Sequence, residues 1–321
     1  MKFDLKIYRG YANEHQVIIF GHVFRSLAPD AFVSEKNGLK HAWAVIKMFT
    51  IKTLKNAEVV IHFKNQKIKT YTLNDGYFRV CFPYENLEAG WHQFSVEATY
   101  QTEKQIAEAS LLKPFPGKIG FISDIDDTFL ISHSSNFFKK LYVLLTKNVN
   151  KRKIFEDVAA HYKLLSKAGR TDEVETNTFF YVSSSEWNLY QFIVDFTKLK
   201  QLPKAVLKLK SIKTGLGDFL FSGRGNHNHK FEKIKDILEF YPEMSFVLMG
   251  DDSQKDPFLY ENLVKHFPLS IKAVYIRQTK KHPKQAVLDA LSTIKSFKIP
   301  ICYFAHSSKA IAHSRTIGII N

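Results

Sequence analysis

The sequence predicts an α/β protein, with a mainly parallel sheet, helices on both faces, and a β-rich, sandwich-like region in front of it. Three observations carry this. Residues 1–115 hold short runs rich in β-branched and aromatic residues, with turn signals between them. From residue 116 onward, apolar strands alternate with amphipathic helices. Two of those later strands run into clusters of aspartate.

The early runs are HQVIIFGHVF, AEVVIHF, KIKTYTL, GYFRVCFPY and HQFSVEATY. In the last, Phe94, Val96, Ala98 and Tyr100 alternate with Gln93, Ser95, Glu97 and Thr99, the period of a half-buried strand. Asn74, Asp75 and Gly76 mark one turn, and Glu88, Ala89 and Gly90 another. Several strands with short turns predict a sandwich-like packing. The segment 42–54 fits either a helix or a long strand. Lys113 to Gly117, with Pro114 and Pro116 between, is a stiff connector. Beyond it IGFISDI, TFFYVSS, AVLKLKS, SFVLMGD and IKAVYIR read as strands. Helix-like stretches cover 187–197, 230–240 and 257–266. In the second of these, Phe231, Ile234, Ile237 and Leu238 share one helical face.

A chain of 321 residues that is 45% hydrophobic and 24% charged has the make-up of a packed globular protein. No apolar run approaches the ~18–20 residues that span a bilayer. Asp4 and Arg9 interrupt any signal-like stretch at the start. A soluble, cytoplasmic protein is expected. Cys81 and Cys302 lie in apolar surroundings, outside any metal or redox spacing, and read as two buried free thiols. The formal charge of +15 favours anionic partners: phosphorylated substrates, anionic lipid surfaces or nucleic acid.

The first aspartate cluster is GFISDIDDTFL, where the strand runs into Asp124, Asp126, Asp127 and Thr128. Period-2 geometry sends Asp124 and Asp126 to the same side. Ligands bind at the carboxyl ends of parallel strands. Two carboxylates so close need a cation or a shared proton, and a hard ion such as Mg²⁺ suits them. The plainer alternative is an acidic turn, with Asp127 or Thr128 capping a helix. The second cluster, GDDSQKD, supplies Asp251, Asp252 and Asp256. Its plainer reading is a polar loop, with Asp256 as a cap before Pro257. Two strands ending alike are harder to dismiss than one. Ser183 and Ser184 follow the strand Phe179–Val182, where a hydroxyl can bind a phosphoryl oxygen; Ser185 fits a helix cap. Lys230 opens a helix, against the dipole preference, which suits a phosphate ligand.

These stations, in this order, resemble the HAD superfamily of phosphotransferases. SDIDDT, FFYVSSSEWNLY and FVLMGDDSQKDP are further similar to the catalytic region of the actin-patch-associated phosphatidate phosphatase family. The Tyr8–Tyr11 motif YRGY and the β-rich region look like that family's bacterial members. The resemblance implies a Rossmann-like catalytic domain over 116–321 behind an accessory β domain over 1–115. It implies Asp124 as nucleophile, Asp126 as general acid and base, and Lys230 and Ser183 on the phosphoryl oxygens, with Thr128 and Ser184 contacting substrate. It implies Mg²⁺ held by Asp124, Asp126 and Asp251, with Asp252 or Asp256 completing the shell. The substrate it implies is phosphatidate. A second carboxylate at 126 suits an alkoxide leaving group, which needs an acid.

Residues 129–155 hold no acid but six cations, Lys139, Lys140, Lys147, Lys151, Arg152 and Lys153, interleaved with apolar residues. A second cationic stretch runs from Lys198 to Lys213. Both fit either solvated faces or a surface that docks peripherally on anionic membrane. A phosphatase for soluble or nucleic-acid esters, and a non-catalytic interaction module, are the rival expectations.

Overall fold

The computed structural model describes residues 3–25, 52–125, 158–172, 174–210, 227–253 and 255–321. Most of the 42–54 segment, Asp126, Asp127, Thr128 and the basic segment 129–155 lie outside the described residues.

The amino-terminal strands are β1 (Asp4–Ile7), β2 (Gly10–Ala12), β3 (Gln16–Phe24), β4 (Glu58–Phe63), β5 (Gln66–Tyr71), β6 (Tyr77–Pro83), β7 (Gly90–Tyr100) and β8 (Glu103–Lys113). They form one connected eight-stranded sheet in the order β1-β3-β2-β8-β7-β4-β5, with β6 on β3. Every pairing is antiparallel except β2 with β8. The length of β3 lets it serve three neighbours. Val17 and Ile18 pair β2, Gly21 to Phe24 pair β1, and Gln16 to His22 pair β6. The sheet thereby encloses its own core, in which Val17 and Ile19 meet Val59, Ile61, Phe78, Phe94 and Val96. Alternation decides who faces in: Val59, Ile61 and Phe63 are buried, while Glu58, Val60 and His62 face outward. The Asn74–Gly76 turn has a hard requirement. Gly76 has φ +73°, and a Cβ there would meet the Val23 carbonyl at 2.5 Å.

The second sheet is wholly parallel. Its strands are β9 (Ile119–Asp124), β10 (Thr178–Glu186), β11 (Val206–Lys210), β12 (Ser245–Asp251), β13 (Ile271–Arg277) and β14 (Ile301–Phe304), in the order β11-β10-β9-β12-β13-β14. Its strands are buried along nearly their whole length, which is why FFYV and FVLM are unbroken apolar runs. The helices are α1 (Val158–Lys167), α2 (Tyr190–Leu199), α3 (His227–Phe240), α4 (Asp256–His266), α5 (Gln285–Ser296) and α6 (Ser307–Thr316). α1 packs on α6, and α3, α4 and α5 pack in succession. In α3, Ile234, Ile237 and Leu238 are buried and Phe231 half-buried, as the periodicity predicts.

The two sheets share a core. Tyr8, Tyr11, Phe20 and Leu112 belong to the same apolar cluster as Phe180, Trp187 and Tyr241. Tyr8 stacks on Trp187 at 4.1 Å, and Tyr11 meets Phe180 and Phe240 edge-on. Polar bonds frame this seam. Arg9 N–H donates to Tyr190 Oη and Arg9 Nη1 to the Ala205 carbonyl. Asn13 Nδ2 donates to the Phe240 carbonyl, and Tyr241 Oη to the Ala12 carbonyl. Within the first sheet, Gly10 lets β2 lie close against β3, since a Cβ there would meet the Ile18 carbonyl at 2.6 Å. The YRGY motif is thus the plug between the sheets.

Three local expectations are corrected. Cys302 is buried, with its thiol pushed up to about 11 by that burial, but Cys81 is exposed. β6 turns Phe78 and Phe82 inward, so its odd-numbered positions, Cys81 among them, face out. Ser185 caps no helix, because β10 continues to Glu186 and its backbone N–H donates to Ser183 Oγ at 2.9 Å. The second cationic stretch is not one outward face. Lys208 is buried and donates to Tyr11 Oη, and Lys204 sits 3.7 Å over the Trp91 ring.

Truncating Tyr8 to alanine removes the stacked ring from this seam and is expected to cost about 3–5 kcal/mol, read as a lowered urea midpoint. Tyr8 Oη also lies 3.0 Å from His22 Nδ1, and burial lowers the His22 pKa from 6.5 to about 3. Below pH 6.5 the unfolded chain binds a proton that folded His22 refuses. Stability from this group is therefore complete above pH 6.5 and is lost as pH falls toward about 3. Urea melts of His22→Phe between about pH 7 and pH 5 are expected to show a shallower loss than wild type.

Candidate active site

β9 is central in the parallel sheet, flanked by β10 and β12, so the ends of these three strands open onto one place. Val182 lies level with Asp124, and Met249 with Ser123. Ser183 and Asp251 therefore extend one step past their neighbours, on either side of Asp124. All three are buried.

Asp124 ends β9. Its Oδ1 lies 3.0 Å from Lys230 Nζ, which reaches in from the first turn of α3. The same ammonium donates to Asp256 Oδ1 at 3.0 Å. Asp256 comes from the first turn of α4, beside Pro257. Its other oxygen accepts the Asp251 backbone N–H at 3.4 Å. Asp251 Oδ1 in turn accepts the Ser253 N–H at 2.5 Å, which tightens the turn after β12. Ligand atoms of Asp124, Asp251 and Asp256 all lie within 4.8 Å of one another. Gly250 makes this possible, because a Cβ there would meet Asp256 Oδ2 at 2.6 Å. The glycine of GDD is thus a clearance for a carboxylate.

Asp252 points elsewhere. Its Oδ1 accepts both the N–H of Thr279 at 2.7 Å and the Thr279 hydroxyl at 2.5 Å. Its Oδ2 accepts the Tyr303 hydroxyl at 2.6 Å. Of the two candidates for the second acidic position, Asp256 joins Asp124 and Asp251, and Asp252 ties the strand end to β13 and β14. Ser184 is half-buried at the end of β10. Ser183 Oγ is used locally, accepting the Ser185 N–H.

Several supporting residues carried no sequence signal. Ser123 Oγ donates to the Asp124 carbonyl at 2.8 Å and lies 2.7 Å from the Tyr162 hydroxyl, which fixes the backbone at the end of β9. Tyr260 Oη donates to the Met249 carbonyl from beneath the acidic group. Arg277, level with Asp251, donates Nη2 to Ser307 Oγ at 2.7 Å. Burial lowers the Arg277 pKa to about 10, against the opposing pull of Tyr162 and Asp251.

Buried like charges repel unless balanced. Among the described residues the carboxylates of Asp124, Asp251 and Asp256 gather around the Lys230 ammonium. An all-oxygen set of this kind fits a hard metal ion and could hold one.

A parallel sheet whose central strands end in converging aspartates, with a lysine between them, defines an α/β domain built around an acidic site. Residues 119–278 match the family model described as the phosphatidate phosphatase APP1 catalytic domain. The chain belongs to this family through that domain. Phosphatidate phosphatase APP1 of Saccharomyces cerevisiae is 30% identical over 173 residues, covering 50% of this chain. The chain spans only 26% of that protein. Among solved structures, a carbohydrate acetylesterase from Xanthomonas citri overlaps 91% of this chain and 74% of its own, at TM-score 0.32 and 9% identity. A β-glucuronidase from Parabacteroides merdae overlaps 94% of this chain and 40% of its own, at TM-score 0.32 and 7% identity. At those scores the two carry no argument.

Adding the Cβ at Gly250 is expected to push Asp256 off Lys230. Gly250→Ala should lower phosphatase turnover by about 100-fold or more, since sub-ångström positioning governs such sites. Asp252→Ala should instead lower the melting temperature, because it leaves the Tyr303 and Thr279 hydroxyls without their acceptor. Parallel turnover and melting measurements on the two variants separate these roles.

Proposed function

We propose that the chain is a Mg²⁺-dependent phosphomonoester hydrolase that converts phosphatidate to diacylglycerol and phosphate through an aspartyl-phosphate. The observation that carries this is the buried array of Asp124, Lys230, Asp251 and Asp256 at adjoining strand ends. The family match supports the substrate class. The strand order, with β9 between β10 and β12, supports a HAD-type Rossmann-like reading of residues 116–321, with 1–115 as an accessory domain.

Asp124 is the nucleophile. Its carboxylate oxygen attacks phosphorus in line, the ester P–O bond breaks, and an acyl-phosphate forms on the side chain. Asp126, two residues on and outside the described residues, protonates the leaving alkoxide. It then takes a proton from the water that attacks the acyl-phosphate. Lys230, already 3.0 Å from Asp124, neutralises a phosphoryl oxygen, with Ser183, Ser184 and Thr128 as hydroxyl donors beside it. Asp124, Asp251 and Asp256, with the backbone of Asp126, would hold Mg²⁺, which supplies charge compensation between nucleophile and phosphate.

Among the described residues no helix is long and apolar enough to cross a membrane. The reading places the enzyme in the cytoplasm, meeting its lipid peripherally through the basic segment 129–155.

Phosphate release is measured from phosphatidate in mixed micelles, beside sugar phosphates and 3′- or 5′-phosphorylated oligonucleotides. Phosphatidate is expected to be preferred, and chelation to abolish release. Asp124→Asn should lose about 10⁴-fold or more in turnover while keeping its melting temperature. Near-normal release by Asp124→Asn would overturn the mechanism, and preference for an oligonucleotide would overturn the substrate.

A further inference from the structure

One turn beyond Lys230 on α3 stands a second lysine in the opposite situation. Lys233 is 8% exposed, yet its Nζ is shut off from solvent and has no hydrogen-bond partner among the described residues. Among the described residues, the charges that bear on it are those of other cations. Burial first, then Lys208, Lys210 and Lys230, lower its pKa from 10.5 to about 6. His229, beside them on the first turn of α3, also has a buried ring nitrogen, Nε2, without a partner among the described residues. Burial, then Lys233 and Lys210, hold that ring neutral down to about pH 4.

The backbone places these groups together. Val182 is level with both Asp124 on β9 and Lys208 on β11, so Lys208 shares a sheet face with the nucleophile. α3 packs against β10, which carries its amino-terminal turns over these strand ends. Glu186 lies level with Lys210 and supplies one negative charge there. Lys208 donates to the neutral hydroxyl of Tyr11 and lies over the Tyr11 and Phe20 rings. A buried amine among ammoniums is costly to charge unless an anion completes it. Ile234, Ile237 and Leu238 supply the apolar face of α3.

We propose that Lys233, with Lys208, Lys210 and His229, forms a second oxyanion site beside the Asp124–Lys230 centre, suited to a phosphate group. It requires neither turnover nor Asp124. Two sources share this chemistry: free orthophosphate, or a second phosphoryl group on the substrate.

Equilibrium dialysis with labelled orthophosphate tests it on the full chain. Asp124→Asn protein is expected to keep a phosphate site. Adding Lys233→Met should weaken that site at least tenfold. In phosphate-free buffer Lys233→Met should melt no lower than wild type, and phosphate should raise the melting temperature of wild type but no longer that of the variant. Where the methionine does not fold, Lys233→Gln gives the same comparison. Esters bearing one and two phosphoryl groups identify the source. A KM raised tenfold by Lys233→Met for the bisphosphate alone assigns the site to substrate. A change confined to orthophosphate binding assigns it to free phosphate. Phosphate binding and KM that are both indifferent to residue 233 would overturn the proposal, whatever the enzyme's activity on phosphatidate.

Discussion

The Lys230 ammonium, 3.0 Å from Asp124 on one side and from Asp256 on the other, is the interaction on which the rest of the site depends. Three segments distant in the chain meet there: the end of β9, the first turn of α3 and the first turn of α4. Each arrives by a parallel-sheet rule, since strands deliver their carboxyl ends, and helices their amino ends, to the same edge. Without the lysine, the carboxylates would be buried like charges in mutual repulsion. With it, they stay together as a set of oxygen ligands that could hold a cation.

The same helix shows how far a local environment separates two identical side chains. Lys230 and Lys233 are one turn apart and equally buried. The first lies between carboxylates. The second lies among cations, with no hydrogen-bond partner for its Nζ among the described residues. Sequence spacing alone makes them equivalent, and their neighbours make them different.

Much of the architecture was legible because its causes are local. The unbroken apolar runs of β10 and β12 report strands buried on both faces, and the alternation in β7 reports a strand buried on one. The aspartate clusters stand out because acid after apolar strand is a local pattern. What was not legible depends on partners far along the chain. Whether Asp252 or Asp256 turns to Asp124 is decided by Thr279 and Tyr303, which claim Asp252. Ser185 resembles a cap in the sequence, yet β10 is held extended to Glu186 by its pairing with β11. Lys208 looks like a surface lysine until Tyr11, from the other sheet, is placed beside it. The need for glycine at 250 appears only when the Asp256 carboxylate occupies the space of its missing side chain.

The aromatic plug of Tyr8 and Tyr11 has a consequence for how the molecule comes apart. Their rings belong to the cluster that also contains Phe121, Phe180 and Val182, around the strand that ends in Asp124. Opening the amino-terminal sheet therefore exposes apolar surface next to the nucleophile's own strand. Sub-global opening that frees one sheet and leaves the other intact is penalised, and cooperative units follow contacts rather than changes of architecture. Amide hydrogens in β3 and in β9 are then protected by one common event, the loss of the whole structure.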